Sequence, residues 1–281
     1  MVRNLAMLVG AAFVAVLGWS LLWTVVGQIK DPAPATVEAT EFHKHPKELH
    51  LASDGWFGKY DKRQLQRGFQ VYQEVCSACH SIRLVAFRDL SGIGYNDAQI
   101  KAIAKGWKIP QPSINPETGE VASRPNVPSD HFPAPFANEI AARAANNNAL
   151  PPDLSLMTKA RHGGAAYVYS ILTGYEAQSA ALLKAFPDVE TPKGLHANPY
   201  FPTMNIAMAQ QLTTDGQVQY LDGTKPTVDQ MAKDVSAFLV WTAEPELESR
   251  HANGFLAVLF LLGFCFLAWG AYQNVWRDVK H

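Results

Sequence analysis

The chain has 281 residues, of which 48% are hydrophobic and 17% are charged, and its 24 Lys and Arg nearly balance its 25 Asp and Glu. The net charge of −1, with neither a basic patch nor a glycine-rich phosphate loop, excludes an electrostatically driven nucleic-acid binder. The length suits one large domain or two small ones, and part of the hydrophobic content lies in two long charge-free runs.

The first run extends from Leu5 to Ile29, 25 residues without a charge, which is long enough to cross a hydrocarbon core of ~30 Å as a helix. Arg3 before it also resembles the start of a signal peptide, with candidate cleavage sites at Ala33-Pro34-Ala35 and Val37-Glu38-Ala39. Because the apolar part of a signal peptide is typically only about 7–15 residues, we expect residues 1–30 to be retained as a transmembrane helix, with a signal peptide as the alternative. Both readings export the region that follows.

Residues 31–51 contain prolines and the histidines His43, His45 and His50 with no sustained period. We expect a linker that lies along the membrane surface. These histidines lack accompanying thiols or carboxylates at a metal-site spacing, so the pattern does not favour a metal site.

Apolar residues recur at steps of three and four from Asp61 to Val75, which predicts a helix. Gly68 and Tyr72 precede Cys76 by eight and four residues, so they share its side of this helix. A glycine at that position would allow a second helix to approach closely.

The run Cys76-Ser77-Ala78-Cys79-His80 is the attachment signature of a c-type haem. The two thiols add across the haem vinyl groups, and the adjacent imidazole binds the iron. A zinc site is the sharpest rival, but it needs four ligands and usually pairs two such knuckles. The only other cysteine, Cys265, lies inside the second apolar run. We therefore predict one covalently attached haem c on Cys76, Cys79 and His80.

The middle of the chain is less regular. Ile109 to Pro152 holds nine prolines and predicts an irregular wrap or binding surface. Tyr167 to Gly174 is a candidate helix, and Thr213 to Thr224, with two Asp-Gly pairs, predicts a small hairpin.

A final helix of the exported region is predicted from Val228 to Ala243, with Thr227 as its N-cap and Pro245 after its end. We expect it to pack on the helix that precedes the haem motif.

The second apolar run, Gly254 to Tyr272, has 19 residues without a charge and is also long enough to span a bilayer. Trp269, Tyr272 and Trp276 are followed by Arg277 and Lys280. An aromatic belt followed by positive charge predicts a cytoplasmic C-terminus. Residues 31–250, with 20 Lys and Arg against 24 Asp and Glu, are mildly acidic. This net charge is equally consistent with attraction of a basic partner and with an ordinary solvated surface.

A haem iron with one imidazole either keeps an open site for chemistry or takes a second side chain and becomes an electron carrier. A methionine opposite histidine raises the potential and suits one-electron transfer. Met157 and Met231 fit helix packing, whereas Met204 and Met208 lie in an irregular stretch where a loop can cross the open haem face. The chain pattern alone does not separate these two.

These residues together resemble the cytochrome c1 family, the haem subunits of ubiquinol–cytochrome c reductase (the bc1 complex), from about Phe57 to Trp276. The resemblance rests on a series of motifs in order, which are Arg67-Gly68-Phe69-Gln70-Val71-Tyr72, Cys76-Ser77-Ala78-Cys79-His80, Pro151-Pro152-Asp153-Leu154-Ser155, Ala160-Arg161-His162-Gly163-Gly164 with Tyr167, Asn198-Pro199-Tyr200-Phe201, Ala207-Met208-Ala209, Asp222-Gly223-Thr224, Val235-Ser236-Ala237-Phe238-Leu239 and Ala243-Glu244-Pro245-Glu246.

The resemblance implies that Met208, in its Ala-Met-Ala element, is the second iron ligand, although Gln210-Gln211 replaces the usual Pro-Pro or Pro-Ala that follows. It also implies that Arg161 and Tyr167 contact the haem propionates and that Pro152 packs against the haem ring. Some bacterial members carry an extra cysteine pair. This chain has none, and Cys265 is expected to be a packing or lipid-facing residue.

The implied fold is an all-α, class I cytochrome c-like haem domain with long irregular insertions and a small hairpin, plus the two apolar helices. The expected divisions are residues 1–30 (transmembrane helix or signal peptide), 31–250 (periplasmic haem domain) and 251–281 (C-terminal anchor and cytoplasmic tail) of a bacterial inner-membrane protein.

The implied function is one-electron transfer from the Rieske iron–sulfur protein to a cytochrome c, within a dimeric complex that also contains cytochrome b. Quinol oxidation would belong to the complex rather than to this chain. One alternative is a membrane-tethered mono-haem cytochrome c subunit of a terminal oxidase or nitric oxide reductase. Another is a haem enzyme or gas sensor with an open iron site.

Overall fold

The computed structural model describes residues 2–30 and 41–278. It divides into two compact units, Met1–Phe42 and His43–His281. The first contains helix α1 (Val2–Lys30), in which none of the residues is buried and which is long and apolar enough to cross a membrane.

The second unit is mainly helical, with two small antiparallel sheets. Its elements are α2 (Lys62–Val71) with a π-helical turn (Tyr72–Cys76), a 3₁₀ helix (Phe87–Ile93), α3 (Asp97–Gly106), β1 (Gln111–Ile114), β2 (Val121–Arg124), α4 (Glu139–Ala145), α5 (Met157–Ala160), α6 (Gly164–Thr173), α7 (Ala180–Ala185), a 3₁₀ turn (Pro187–Val189), β3 (His196–Ala197), β4 (Asn205–Ile206), α8 (Val228–Ala243) and α9 (Leu247–Trp276).

The crossing of α2 over α8 is the centre of this unit, as the sequence predicted. A Cβ added at Gly68 would lie 2.0 Å from the carbonyl oxygen of Asp234, so only glycine permits this approach. The predicted N-cap of α8 is confirmed, because the Thr227 hydroxyl accepts a hydrogen bond from the Gln230 amide at 3.1 Å.

An aromatic cluster fills the space beneath the crossing. The rings of Phe69 in α2 and Tyr72 in the π-helical turn have their centroids 5.6 and 5.8 Å from that of Phe238 in α8. Phe132 closes the cluster from the other side, 4.1 Å from Phe87 and 4.9 Å from Trp107. Such pairs add about 0.5–1.5 kcal/mol each beyond their burial, so the chain leading to Cys76 rests on a rigid base.

A buried ion pair joins the same two helices. The Asp234 carboxylate is fully buried and accepts from Arg67 Nε at 2.8 Å, while Arg67 Nη1 donates to Asp222 at 2.7 Å. A buried carboxylate needs such partners because removing it from water is costly.

The predicted hairpin at Thr213–Thr224 is wrong. Both Asp-Gly pairs do form turns, with φ of +78° at Gly216 and +82° at Gly223, but the flanking backbone bonds elsewhere. The Gly216 amide donates to the Pro226 carbonyl at 2.7 Å, and Asp222 is held by Arg67.

The hairpin lies instead at β1 and β2, which pair from Gln111↔Arg124 to Ile114↔Val121. It falls, with α4, inside the Ile109–Pro152 stretch that the prolines predicted to be irregular. A two-stranded ribbon has two edges, and proline is tolerated at edge positions.

The predicted membrane-surface linker is also different where it is described. Residues 31–40 lie outside the described residues. From His43 onward the chain belongs to the second unit, and the Lys47 amide and ammonium bond to Ser170 (2.7 Å) and Thr173 (2.8 Å) of α6. This part of the predicted linker therefore packs on the second unit, and its position along a membrane surface stays a prediction.

Helix α9 follows α8 after a short corner, residues 244–246, and is long and apolar enough to cross a membrane. Glu244 organises the corner by pairing with Lys159 at 2.5 Å and with Arg250. The Tyr60 hydroxyl donates to the Glu244 carbonyl at 2.7 Å. Cys265 is exposed on α9, as expected for a lipid-facing residue.

Candidate haem-binding site

The Cys76–His80 run forms one tight turn at the end of the α2 segment. The π-helical turn closes with the Ser77 amide donating to the Tyr72 carbonyl at 2.8 Å, and the His80 amide then donates to the Cys76 carbonyl at 3.0 Å. Cys76 and Cys79 are both free thiols. One turn therefore presents two unpaired sulfurs and an imidazole together.

The ring of His80 is oriented by a main-chain carbonyl. His80 Nδ1 lies 2.8 Å from the Pro152 oxygen. Because a carbonyl can only accept, Nδ1 carries the hydrogen, and the lone pair of Nε2 is left free for a metal. This is the arrangement that an axial histidine requires.

The protonation state of His80 agrees with this role. Burial lowers its pKa, although the Pro152 carbonyl and the Asp153 charge act in the opposite direction. The imidazole is therefore neutral near pH 7, which is the form that coordinates metals.

Asp153 ties the segment that orients His80 to the residues that follow the motif. Its carboxylate accepts from Ser81 Oγ at 2.7 Å and from the Arg83 amide at 2.9 Å, and the Leu154 amide donates to the Ser81 carbonyl at 2.8 Å. Burial acts to raise the Asp153 pKa, but these hydrogen bonds outweigh it and the pKa is lowered. The carboxylate therefore stays ionised and keeps accepting from these donors.

Tyr72 supports the motif from beneath. Its hydroxyl donates to the His80 carbonyl at 3.0 Å, and burial raises its pKa so that it remains a donor. The sequence placed Tyr72 on the Cys76 side of the helix but gave no sign of this bond.

The Cys76 thiol is not a reactive group at neutral pH. Burial, with a smaller contribution from Cys79, raises the pKa of Cys76 to about 12, so the thiol is protonated at neutral pH. Within the described residues no group of three or more His, Cys, Asp and Glu side chains is placed to hold a metal ion.

The two candidate methionines occupy different environments. Met204 is 6% exposed and has φ +57°, in the turn that joins β3 to β4, where its carbonyl accepts from the Asn198 amide at 2.9 Å. Met208 lies in the irregular segment after β4, half-buried at the margin of the core. The Tyr175 hydroxyl donates to its carbonyl at 2.8 Å.

The predicted propionate residues lie next to each other. The Arg161 guanidinium interacts with the Tyr167 hydroxyl, and burial raises the Tyr167 pKa against the opposing effect of Arg161. Arg161 is exposed and Tyr167 is half-buried on α6. Pro152 is exposed, and its carbonyl oxygen accepts the hydrogen bond from His80 Nδ1.

Comparison with known proteins decides the family. The family model described as "Cytochrome C1 family" matches residues 51–279. Cytochrome c1 of Rhodospirillum rubrum is 44% identical over 246 residues, 83% of this chain and 89% of that protein. The chain belongs to the cytochrome c1 family.

Eukaryotic members are nearly as similar. Cytochrome c1, heme protein, mitochondrial, of Saccharomyces cerevisiae is 42% identical over 242 residues, 86% of this chain and 75% of that protein. The cytochrome b-c1 complex catalytic subunit of Candida albicans is 41% identical over 243 residues, 86% of this chain and 81% of that protein. Membership of the cytochrome c1 family decides against the tethered cytochrome of a terminal oxidase or nitric oxide reductase.

The residues present fit the covalent haem that the family name implies. Two free thiols lie on one turn, and a neutral imidazole beside them has its Nε2 available. The sequence predicts Cys76, Cys79 and His80 as attachment residues but did not predict the hydrogen bonds that Tyr72, Ser81 and Asp153 make around them. Ser81 and Asp153 carried a usable signal, as polar residues inside or beside motifs.

Proposed function

We propose that this chain is the haem-bearing electron carrier of a bc1 complex, which accepts electrons from a Rieske iron–sulfur protein and passes them to a cytochrome c. The observation that carries the proposal is the bond from His80 Nδ1 to the Pro152 carbonyl beside two free cysteines, in a member of the cytochrome c1 family.

Each site residue has a distinct task in this proposal. Cys76 and Cys79 would hold one haem c through thioethers, and His80 and Met208 would supply the two protein ligands of its iron. Bound there, haem c supplies a one-electron iron couple, whose potential a methionine ligand raises. The domain that holds it has the class I cytochrome c arrangement.

The surroundings of the cofactor complete the site. Arg161 and Tyr167 would face the haem propionates, where a guanidinium can offset a partly buried carboxylate. Pro152 would cover the ring edge and exclude water.

The chain itself makes and breaks no bond with the quinol. The hydrogen bonds that His80 Nδ1 donates to the Pro152 carbonyl and that Ser81 donates to Asp153 fix the imidazole, so its position would change little between the two oxidation states. Quinol oxidation belongs to the complex, in which cytochrome b would hold the quinone.

The apolar helices support the proposed placement in the membrane. Residues 31–250 would be the periplasmic haem domain, between a retained N-terminal helix (1–30) and the C-terminal anchor and tail (251–281). The belt of Trp269, Tyr272 and Trp276 followed by Arg277 favours a cytoplasmic C-terminus of the bacterial inner membrane. The partners would be cytochrome b, the Rieske protein and cytochrome c, in a dimeric complex.

Rapid mixing of the purified complex with quinol tests the proposal. The absorption of this chain's haem should show reduction before cytochrome c is reduced, and added oxidised cytochrome c should reoxidise it. Removal of the Rieske head should block the reduction. Cys265 lies outside the motif and provides a control. Cys265→Ser should leave the rates of haem reduction and reoxidation unchanged, as expected of a surface substitution. A haem that stays oxidised while cytochrome c is reduced would contradict the proposal.

A further inference from the structure

Two adjacent aromatic side chains stand out from the haem-side unit. Trp56 is 89% exposed and Phe57 is 76% exposed at the tip of the loop Ser53–Lys59. Large neighbouring apolar side chains that face outward mark a contact with a membrane or a partner.

The loop that carries them has a fixed backbone. The Asp54 amide donates to the Leu51 carbonyl at 3.0 Å, and the Lys59 amide donates to the Ala52 carbonyl at 2.8 Å. A Cβ at Gly58 would lie 2.2 Å from the Ser53 oxygen, so the turn is closed tightly. The outward position of the aromatic pair is therefore built into the fold.

A direct contact sets the depth of this tip relative to the anchor. The Phe57 ring lies 5.8 Å from the Phe255 ring, centroid to centroid, in an edge-to-face arrangement. Phe255 is the second residue of the charge-free run Gly254–Tyr272 in α9. At 1.5 Å per residue that run is about 28 Å long, close to the ~30 Å of a bilayer core. Phe255, and Phe57 with it, therefore lies at the edge of the hydrocarbon when α9 spans the membrane.

A second link, through Tyr60 directly after the loop, joins its base to the start of α9 and to the residue Glu244 before that helix. The Tyr60 amide donates to Glu248 Oε1 at 2.7 Å, and the Tyr60 hydroxyl donates to the Glu244 carbonyl at 2.7 Å. The charged start of α9 thus stays beside Lys59 and Tyr60, while the loop tip points along the helix toward its apolar part.

We propose that the loop Ser53–Lys59 is a second membrane contact of this chain, with Phe57 at the hydrocarbon edge and Trp56 among the lipid headgroups. The indole has an apolar body and an N–H donor, which suits that boundary. Asp54 and Lys59 at the base of the loop remain in the headgroup layer. The contact holds the haem-side unit to the bilayer at a point beside its anchor and limits its tilting about the α8–α9 corner.

The bilayer fits this tip better than a protein surface because the exposed face of α9 continues directly from it. From Ala252 onward the described part of α9 is exposed, so the loop and the helix present one apolar surface. The inference rests on α9 spanning the bilayer and is independent of the proposed electron transfer.

Site-directed spin labelling tests the contact in the full, haem-loaded chain within its complex, reconstituted in phosphatidylcholine vesicles. The label is placed at Trp56→Cys in a Cys265→Ser background, since Cys76 and Cys79 are consumed by the haem. Two matched sites calibrate the depth of the label in the membrane. Leu262→Cys in α9 is the reference for the bilayer interior, and Leu221→Cys, where the native leucine is 100% exposed, is the reference for water.

The measured quantity is the ratio of collisions with dissolved oxygen to collisions with a water-soluble nickel chelate. The ratio at position 56 should exceed that at 221 several-fold and fall below that at 262. A ratio equal to that at 221 would overturn the proposal. A label immobilised and shielded from both reagents would also overturn it, in favour of a protein partner. An aqueous ratio at 262 would remove its premise, while leaving the electron-transfer proposal intact.

Discussion

The Arg161 guanidinium lies beside the Tyr167 hydroxyl at the start of α6. An exposed arginine alone is a weak indication, because surface cations rarely matter to stability. The contact with the half-buried Tyr167 gives the Arg161 guanidinium a fixed position. A side chain that is to neutralise a carboxylate needs such a position.

Replacing Arg161 should lower the haem potential. Arg161→Gln removes a positive charge that opposes the oxidised, more positive iron, so the midpoint should fall by roughly 20–40 mV, where 59 mV represents a tenfold change for one electron. Potentiometric titration of the purified complex measures it. Lys105→Gln on α3, another exposed cation, is the control and should leave the midpoint unchanged. An equal fall in both variants would show that only net charge is involved.

The sequence predicts those parts of the candidate site in which reactive side chains recur at a fixed spacing. Cys76, Cys79 and His80 follow from a five-residue pattern. The acceptor for His80 does not, because the Pro152 carbonyl is a backbone group 72 residues away, and a main-chain oxygen leaves no mark in the sequence. The choice of Met208 over Met204 depends on resemblance, since both lie in the same irregular stretch.

The crossing of α2 and α8 fixes the position of the haem motif. Gly68 lets the two helices touch. Arg67, the residue before it, pairs with the buried Asp234 of α8. The segment that ends at Cys76 is therefore anchored by both packing and charge.

Gly68→Ala should destabilise the haem-side unit strongly. The new Cβ would overlap the Asp234 carbonyl oxygen at 2.0 Å and Phe238 Cβ at 2.7 Å, and overpacking of this kind typically costs about 1–3 kcal/mol. Denaturant unfolding followed by haem absorption measures the loss. Gly106→Ala at the end of α3, where a Cβ would have no neighbour within 4 Å, is the matched control. Equal stability of the two variants would refute the close crossing.

Long periodic elements were the most predictable. The helices at Lys62–Val71 and Val228–Ala243 agree with their apolar spacing and caps. The hairpin was misplaced because Asp-Gly turns mark a reversal of the chain without ensuring that the flanking strands pair. β1 and β2 lacked a strong signal, since prolines at 110, 112, 116 and 125 surround them.

The whole chain combines a haem-side unit with two helices long enough to cross a membrane. Helix α1 forms a separate unit in the described structure. An apolar stretch of its length exceeds that of an ordinary signal peptide, which favours retention.

The intact mass of the subunit purified from native membranes tests retention. The expected value is that of residues 1–281, 30.9 kDa, plus one covalent haem. A mass lower by roughly the first 35–39 residues would instead establish a cleaved signal peptide. Haem stoichiometry from the same sample checks that one group is bound.

The near-infrared spectrum of the oxidised chain tests most directly that one iron lies between His80 and Met208. A methionine sulfur on low-spin iron gives a weak charge-transfer band there, and Met208→Leu should abolish the band and lower the potential while the haem stays attached. Met204→Leu is the matched control and should retain the band. Survival of the band in Met208→Leu with its loss in Met204→Leu would contradict the assignment of Met208 as the ligand. A native chain with a high-spin spectrum whose haem binds carbon monoxide readily would contradict the role of electron carrier.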